Sequence, residues 1–328
     1  MRLLRSGMQA DWPGIEGIAI SVIVVQVFYT DVERKDSAMK CVGLYAKRTN
    51  PDAIKVAEDL CLWLQERRID VLLEDDLGSD ICATNPKIIF ETANAEDIPP
   101  RVDCIVVLGG DGTLISVARS VGSRAVPILG VNLGSLGFLT EITLDELYPQ
   151  LEKVFAGNFS VSERIRLDCH ISRDGENVAE YEVLNDVVIN KGALARIVDI
   201  EIWVDRDYLT TFKADGLIIS SPTGSTAYNM AAGGPIVYPG VNCLMITPIC
   251  PHMLTNRPII VSDRSVITVK MAFDNERVFC TADGQVGMAL QGYDVLEIKQ
   301  AKVGTHLIKS ATKDYFEVLR TKLRWGER

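Results

Sequence analysis

One carboxylate stands inside a cluster of glycines, Gly109-Gly110-Asp111-Gly112-Thr113. Glycine removes the Cβ atoms that would keep a phosphate or a ribose at a distance. The carboxylate has two chemistries open to it: taking a proton from a substrate hydroxyl, or holding Mg²⁺. The plainer alternative is a tight strand-to-helix turn with Asp111 as a local cap. A second stretch, Lys213 to Gly234 (KADGLIISSPTGSTAYNMAAGG), leads from the apolar Leu217-Ile218-Ile219 into a turn of Ser, Pro, Thr and Gly, then into a helix-compatible run. Small hydroxyl residues and glycines let backbone N–H groups come close to a ligand, and a following helix N-terminus favours negative charge, so the stretch suits a nucleotide. The glycine cluster is not a Walker A loop, because no Lys-Ser/Thr follows it, and it is not G-x-G-x-x-G, which weighs against a simple dinucleotide-binding dehydrogenase.

These residues need elements to position them. The continuous apolar run Cys104-Ile105-Val106-Val107-Leu108 predicts a strand buried on both faces, ending where the glycines begin. Ligands of parallel α/β sheets bind outside such strand ends. Thr113 is placed to cap a helix running through Leu114 to Val121, and a strand over Val126 to Val131 follows. Upstream, the strand Cys41 to Ala46 precedes a helix started by Asn50 as N-cap and Pro51 at the first position, with Ile54, Ala57, Leu60, Cys61 and Leu64 on one face. Strand, helix, strand, repeated, predicts a parallel sheet with helices on both faces. Thr143 and Glu146 form a capping-box pattern for one more helix, which Pro149 strains. Beyond Phe159 the pattern turns to alternation: Leu167, Cys169 and Ile171, the hairpin signal Asp174-Gly175, then Val198, Ile200, Ile202 and Val204. Thr312 to Leu323 reads as a helix returning to the first domain.

The predicted fold class is therefore α/β: an N-terminal Rossmann-like parallel-sheet domain, then a β-rich, sandwich-like domain, then a C-terminal helix. The boundaries are 1–38 as an extension outside the fold, 39–137 for the α/β domain, 138–300 for the β-rich domain and 301–328 for the tail. Ile15 to Tyr29 is apolar but shorter than the roughly 20 residues of a membrane span, and no small-residue cleavage site follows it.

The chain has 328 residues, 47% of them hydrophobic, and a net charge of −10. Such acidity disfavours non-specific nucleic-acid or anionic-membrane binding, so a phosphate site must rely on backbone amides, a few local cations and a metal. The eight cysteines form no C-x-x-C pair, which points to free thiols in a reducing cytoplasm. The three histidines have no zinc-ligand spacing with them.

PTGSTAY (Pro222 to Tyr228) resembles the hallmark segment of the NAD kinases. The glycine cluster is similar to the motif those enzymes share with diacylglycerol and sphingosine kinases and, more loosely, with phosphofructokinases. Asn132-Leu133-Gly134-Ser135-Leu136-Gly137-Phe138-Leu139, Asn185-Asp186 and Thr281-Ala282-Asp283-Gly284-Gln285 resemble further family motifs, in family order, over roughly Cys41 to Leu319. The chain is identified as a member of the bacterial-type NAD kinases. The resemblance implies phosphoryl transfer from ATP to NAD, a divalent cation (Mg²⁺), a cytoplasmic location and a homo-oligomer, dimer or tetramer. It implies Asp111 as proton acceptor beside Gly112, and Asn185 and Asp186 on the NAD adenosine. It also implies Arg196, Lys213 and Asp215 flanking the substrate, Thr226, Ala227, Tyr228, Asn229, Met230 and Ala231 lining the NAD pocket, and Gln285 as a contact from the β-rich half. A charged residue at Lys213 goes with preference for NAD⁺ over NADH. Ser116 stands where many members carry Arg, so no ATP contact is assigned there. The rivals are a lipid or sugar kinase, against which Pro222 to Tyr228 argues, and a non-catalytic NAD(P)-binding regulator, against which Asp111 argues.

Because the apolar run in residues 1–38 has no partner in the pattern and the α/β alternation starts after Met39, a protein beginning at Met39 should be soluble and fully active. Aggregation or loss of activity in that shortened protein would make the run part of the core or of a subunit contact.

Overall fold

A computed structural model describes residues 39–192, 197–272 and 277–326. The extension 1–38 and Arg196 lie outside the described residues.

The first elements alternate as the apolar runs dictate: β1 (Cys41–Ala46), α1 (Pro51–Glu66), β2 (Asp70–Glu74), α2 (Asp75–Thr84), β3 (Glu91–Ala93), β4 (Cys104–Leu108), α3 (Asp111–Val121), β5 (Ile128–Val131) and α4 (Leu144–Phe155). Asn50 caps α1 through its side chain, which accepts from the Asp52 N–H, and Pro51 occupies the first turn. Both halves of the Thr143–Glu146 capping box form, and Pro149 sits inside α4 without ending it.

Then come β6 (Val161–Arg164), β7 (Leu167–Arg173), β8 (Glu176–Val183), β9 (Asp186–Lys191), β10 (Val198–Val204), β11 (Asp207–Ala214), β12 (Gly216–Ser220) and α5 (Tyr228–Ala231). The chain continues through β13 (Cys243–Ile249), β14 (Ile259–Ser262), β15 (Ile267–Ala272), β16 (Val278–Ala282), β17 (Val286–Leu290), β18 (Val295–Gln300), β19 (Thr305–Ile308) and α6 (Tyr315–Leu323).

The strands form three sheets. The first has the order β3-β2-β1-β4-β5-β19-β6. Strands β1 to β5 pair in parallel, β19 joins β5 in parallel, and β6 closes the edge antiparallel to β19. The chain therefore returns from the β-rich half to complete the parallel sheet. One face packs α1, α2 and α4 through Leu60, Leu64, Leu77, Ile81, Leu147 and Leu151. The other packs α3 through Leu114, Val117, Ala118 and Val121. The helix after β1 and the helix after β4 thus leave on opposite faces while the two strands lie side by side. Their C-terminal ends make the crevice in which open α/β sheets bind ligands, and Gly109 to Gly112 lies there.

The other two sheets are antiparallel, with orders β11-β10-β15-β18-β7-β8 and β14-β13-β12-β9-β16-β17. They pack face to face over a shared core that includes Cys169, Ile171, Ile200 and Ile202 from one and Val187, Ile189, Leu217, Ile219 and Cys280 from the other. The predicted alternation in β7 and β10 is observed over the first five residues of each strand, with Leu167, Cys169, Ile171, Val198, Ile200 and Ile202 buried and Val204 only partly so.

Two local expectations change. Helix α3 starts at Asp111 with Gly110 as N-cap, three residues earlier than expected, and the Thr113 side chain packs against Gly109 instead of capping. PTGSTAY itself forms a 3₁₀ turn over Thr223–Thr226, and the helix-compatible run that follows gives only one helical turn, because Gly233 in the left-handed region, Gly234 and Pro235 stop it. All eight cysteines are free thiols. Among the described residues no helix is long and apolar enough to cross a membrane.

Candidate active site

Asp111 opens α3 directly outside the end of β4. Its carboxylate is gripped by the loop after β5: the Phe138 N–H donates to Oδ2 at 2.8 Å, and the Leu139 N–H, Thr140 N–H and Thr140 hydroxyl all donate to Oδ1 at 3.0 Å. Consecutive amides turned toward one carboxylate form a concave anion cradle. The loop holds this shape through Asn132, whose Oδ1 accepts from the Gly134 N–H at 2.6 Å and whose Nδ2 donates to Thr140 Oγ1 at 3.0 Å. Gly137 is required by close approach, since a Cβ there would fall on Asp111 Oδ1 and Thr140 Oγ1. By contrast nothing lies within 4 Å of a Cβ built on Gly110, so that glycine leaves open space beside the carboxylate.

A second carboxylate does the same work across the cleft. Asp283, in the β16–β17 turn with φ of 54°, accepts from the Leu184 N–H at 3.1 Å and the Asn185 N–H at 2.6 Å. Its own N–H donates to the Asp186 carbonyl at 2.9 Å. The Asn185 carbonyl accepts from the Ser221 N–H at 2.8 Å, and a Cβ on Gly224 would strike that carbonyl. The glycine of the PTGST turn therefore lets the turn close onto Asn185. The Asn185 Oδ1 and Thr223 Oγ1 are buried without a protein partner. Buried polar atoms are normally paired, so two orphans in one corner indicate groups waiting for a ligand.

That corner opens into a cavity of about 560 Å³ on the outer face of the sheet containing β9. The period of two in a strand explains its lining. Val187 and Ile189 enter the sandwich core, so Asp186, Val188 and Asn190 face outward; Asn190 lies opposite Phe279 and Val188 opposite Thr281 on β16, and all five line the cavity. Asn185, Ala227, Tyr228 and Asp283 complete the polar end. Tyr228 and Phe279 are half-exposed aromatic faces on the same cavity. Asp186 is buried, and burial first, then the neighbouring Asp283 carboxylate, push its carboxyl up to about 7, against a hydrogen bond from the Tyr228 N–H that lowers it. Burial likewise raises Asp283, while the Leu184 and Asn185 amides and Arg119 pull it down.

Other expected site residues sit differently. Asn229 is fully buried: its Oδ1 accepts from the Thr247 hydroxyl at 2.6 Å and its Nδ2 donates to the Pro235 carbonyl at 3.0 Å, so its side chain staples the turn to β13. Thr226 turns its hydroxyl back to the Thr223 carbonyl, and Met230 and Ala231 follow in the single helical turn, away from the cavity lining. Asp215 meets the cavity through Lys191, 3.1 Å from its carboxylate. Lys213 is largely exposed on β11 and lies 3.7 Å from Asp199. Gln285 reaches across the cleft: its Nε2 donates to the Gly112 carbonyl at 2.8 Å and its Oε1 accepts from Arg119 at 2.7 Å. No local pattern in the sequence points to Thr140, Phe279 or Arg119, and the Asp283-Gly284 pair signals a turn without indicating that its carboxylate holds the Leu184 and Asn185 amides.

Comparison with known proteins adds identity to this geometry. Residues 42–159 match the model of the ATP-NAD kinase N-terminal domain and residues 184–310 that of the ATP-NAD kinase C-terminal domain. The NAD kinase of Syntrophotalea carbinolica is 59% identical over 290 residues, covering 88% of this chain and 100% of that protein. The NAD kinase of Geotalea daltonii is 56% identical with the same coverage. Among solved structures, yeast NADH kinase complexed with NADH superposes with a TM-score of 0.83 at 26% identity, covering 89% of this chain and 90% of that one. An NAD kinase from Archaeoglobus fulgidus in complex with ATP shares the fold, with a TM-score of 0.68 at 24% identity over 87% of this chain and 98% of that one.

Asp186 makes a pH-dependent stability prediction. Its carboxyl titrates near 3.9 in an unfolded chain and at about 7 in the folded one. The folded state therefore holds the extra proton between those values, and stability from this group is lost as pH rises through about 7. Asp186→Asn should remove that loss. In thermal melts without ligand, the Tm advantage of the variant should grow from pH 4.5 to 7.5 and then level off, at on the order of 2–4 °C for each kcal/mol. A difference independent of pH would show that Asp186 ionises normally.

Proposed function

The chain belongs to the NAD kinase family, and on that premise we propose that it transfers the γ-phosphoryl group of ATP to the 2′-hydroxyl of the NAD adenosine ribose, with Asp111 accepting the proton. The observation that carries this reading is the pairing across one cleft of a carboxylate with spare acceptor capacity and a polar cavity with orphaned atoms. Asp111 Oδ2 accepts from Phe138 N–H alone, whereas Oδ1 accepts three donors. A carboxylate oxygen can take two hydrogen bonds, so Oδ2 can also take the ribose hydroxyl. Gly110 and Gly112 supply room for that approach.

The adenosine fits the cavity by chemistry. Asn185 Oδ1 and the Asp186 carboxyl accept from the exocyclic amine or ribose hydroxyls, and Tyr228 and Phe279 offer faces for the base. Phosphoryl transfer needs mostly positioning and charge stabilisation. As the 2′-oxygen forms its bond to the γ-phosphorus, its proton passes to Asp111 and ADP leaves with the electrons of the broken P–O bond. Among the described residues no group of three or more His, Cys, Asp or Glu could hold a metal ion, so those residues present no all-protein metal cage. Mg²⁺ would be carried on the ATP phosphates, where it offsets their charge. The same premise supports a cytoplasmic enzyme and a homo-oligomer, dimer or tetramer, with Arg196 and Lys213 beside the substrate as the family implies.

Two measurements test this. In a matrix of ATP, other nucleoside triphosphates and polyphosphate against NAD⁺ and NADH, ATP should phosphorylate NAD⁺; absence of turnover with every pair would leave only a binding protein. Asp111→Asn should lower kcat by about 10²–10⁴ while NAD binding holds. The amide also turns one N–H toward the cradle, so Thr140→Val, which removes a cradle bond and keeps the carboxylate, is the control and should retain most of kcat. Near-normal turnover in Asp111→Asn would exclude it as the base. Acceptor choice is tested by Lys213→Gly: the unmodified enzyme should prefer NAD⁺, and the variant should gain NADH phosphorylation. An unchanged ratio would place selectivity elsewhere.

A further inference from the structure

We propose that Arg119 is a positioning residue that sets the span between Asp111 and the Asn185–Asp186 pair. The proposal rests on the reading above for its consequence in turnover, but not for its geometry. Asp111 and Gly112 stand in the first turn of α3, and Arg119 follows Gly112 by seven residues, two helical turns, so both lie on the same face. That face meets the β16–β17 turn. The Gln285 amide donates to the Gly112 carbonyl at 2.8 Å and accepts from Arg119 Nη2 at 2.7 Å. The same Nη2 lies 4.0 Å from Asp283 Oδ2. Asp283 in turn holds the Leu184 and Asn185 amides. One guanidinium therefore joins the helix carrying the base to the turn that shapes the adenosine corner.

The helix has a second tether at its other end. Arg166, fully buried, donates to the Gly122 carbonyl and pairs with Glu182 of β8. Gly122 takes a positive φ of 60° there, which a side chain would resist. Asp111 ties the N-terminus of α3 to the amides of the loop after β5, and Arg166 ties its C-terminus to the β-rich half; the side-chain hydrogen bonds described between α3 and the β16–β17 turn are those of Gln285, to the Gly112 carbonyl and from Arg119. Arg119 Nε is buried without a partner, although the side chain as a whole is 26% exposed, and its Nη2 faces Gln285 and Asp283. Gln285 and Asp283 have partners in protein, so the expected role of Gln285 as an NAD contact is joined by that of a latch.

The test uses the full chain and Arg119→Met, which keeps the apolar stem. Misplacement by about 1 Å far from the chemistry costs about 10²-fold, so kcat should fall roughly 10- to 100-fold while KM for ATP stays within about threefold. Hydrogen exchange at the Leu184 and Asn185 amides should accelerate, because Asp283 loses its orienting partner. Arg119→Lys should recover the exchange protection but only part of kcat. Adding Gln285→Leu to Arg119→Met should cost less than the product of the two single losses, since both act on one latch. A raised KM for ATP with kcat kept would make Arg119 a phosphate ligand and overturn the proposal. So would a lowered Tm with unchanged kcat and exchange, or multiplicative losses in the double variant. If Arg119→Met does not fold, Gln285→Leu, whose side chain is exposed, carries the same exchange measurement, and unchanged exchange there overturns the proposal. If the unmodified chain phosphorylates no NAD, the functional reading fails, while the exchange experiment still decides the role of Arg119.

Discussion

Backbone amides that turn away from helix and sheet must find another acceptor, and in this protein two carboxylates provide it. Asp111 satisfies the consecutive amides of Phe138, Leu139 and Thr140. Asp283 satisfies those of Leu184 and Asn185. An unpaired buried amide is costly, so each carboxylate fixes an irregular loop that would otherwise have no single shape. The two loops are the opposite walls of the cleft. Their conformations, the close approaches at Gly137 and Gly224, and the orphaned atoms of Asn185 and Thr223 all follow from where these two acceptors stand.

This arrangement also reconciles an acidic chain with anionic substrates. A net charge of −10 leaves little general attraction for phosphates. Yet the carboxylates of the site are engaged inward, accepting from amides, and burial raises the Asp186 carboxyl to about 7. Local charge at the cleft is therefore less negative than composition suggests. The cations near it, Arg119 and Lys191, lie within contact of carboxylates and so act mainly to orient them.

The parallel sheet and the sandwich contribute in different ways. The sheet supplies a crevice because β1 and β4 are neighbours whose helices leave on opposite faces, which puts the glycine cluster in the open. The sandwich supplies a wall because alternate residues of β9 and β16 must face outward once the others are buried. A slip of one residue in β9 would send Asp186 and Val188 into the core and Val187 into the cavity. Catalytic geometry is thus tied to the register that makes the core, and α3, tethered by Gln285 at one end and Arg166 at the other, transmits that register to Asp111.

By itself the sequence determined what short-range physics determines. The continuous apolar run of β4, the Asn50-Pro51 start of α1, the Thr143–Glu146 box and the alternation in β7 and β10 each depend on residues a few positions apart. They are all found where the pattern puts them. The glycine cluster and PTGSTAY could be read as suited to a ligand for the same reason, since their composition is itself the constraint. What the tertiary structure decided depends on partners far apart in the chain. Nothing near Asp111 in sequence says that the amides of residues 138–140 will hold it, nor does anything near Gln285 point to Arg119, 166 residues away. The burial of Asn229, which looks like any other member of its motif, was equally hidden. Hydrogen bonds between distant segments are satisfied only when folding brings both partners to one place, so their identity is a property of the packed molecule and not of either segment.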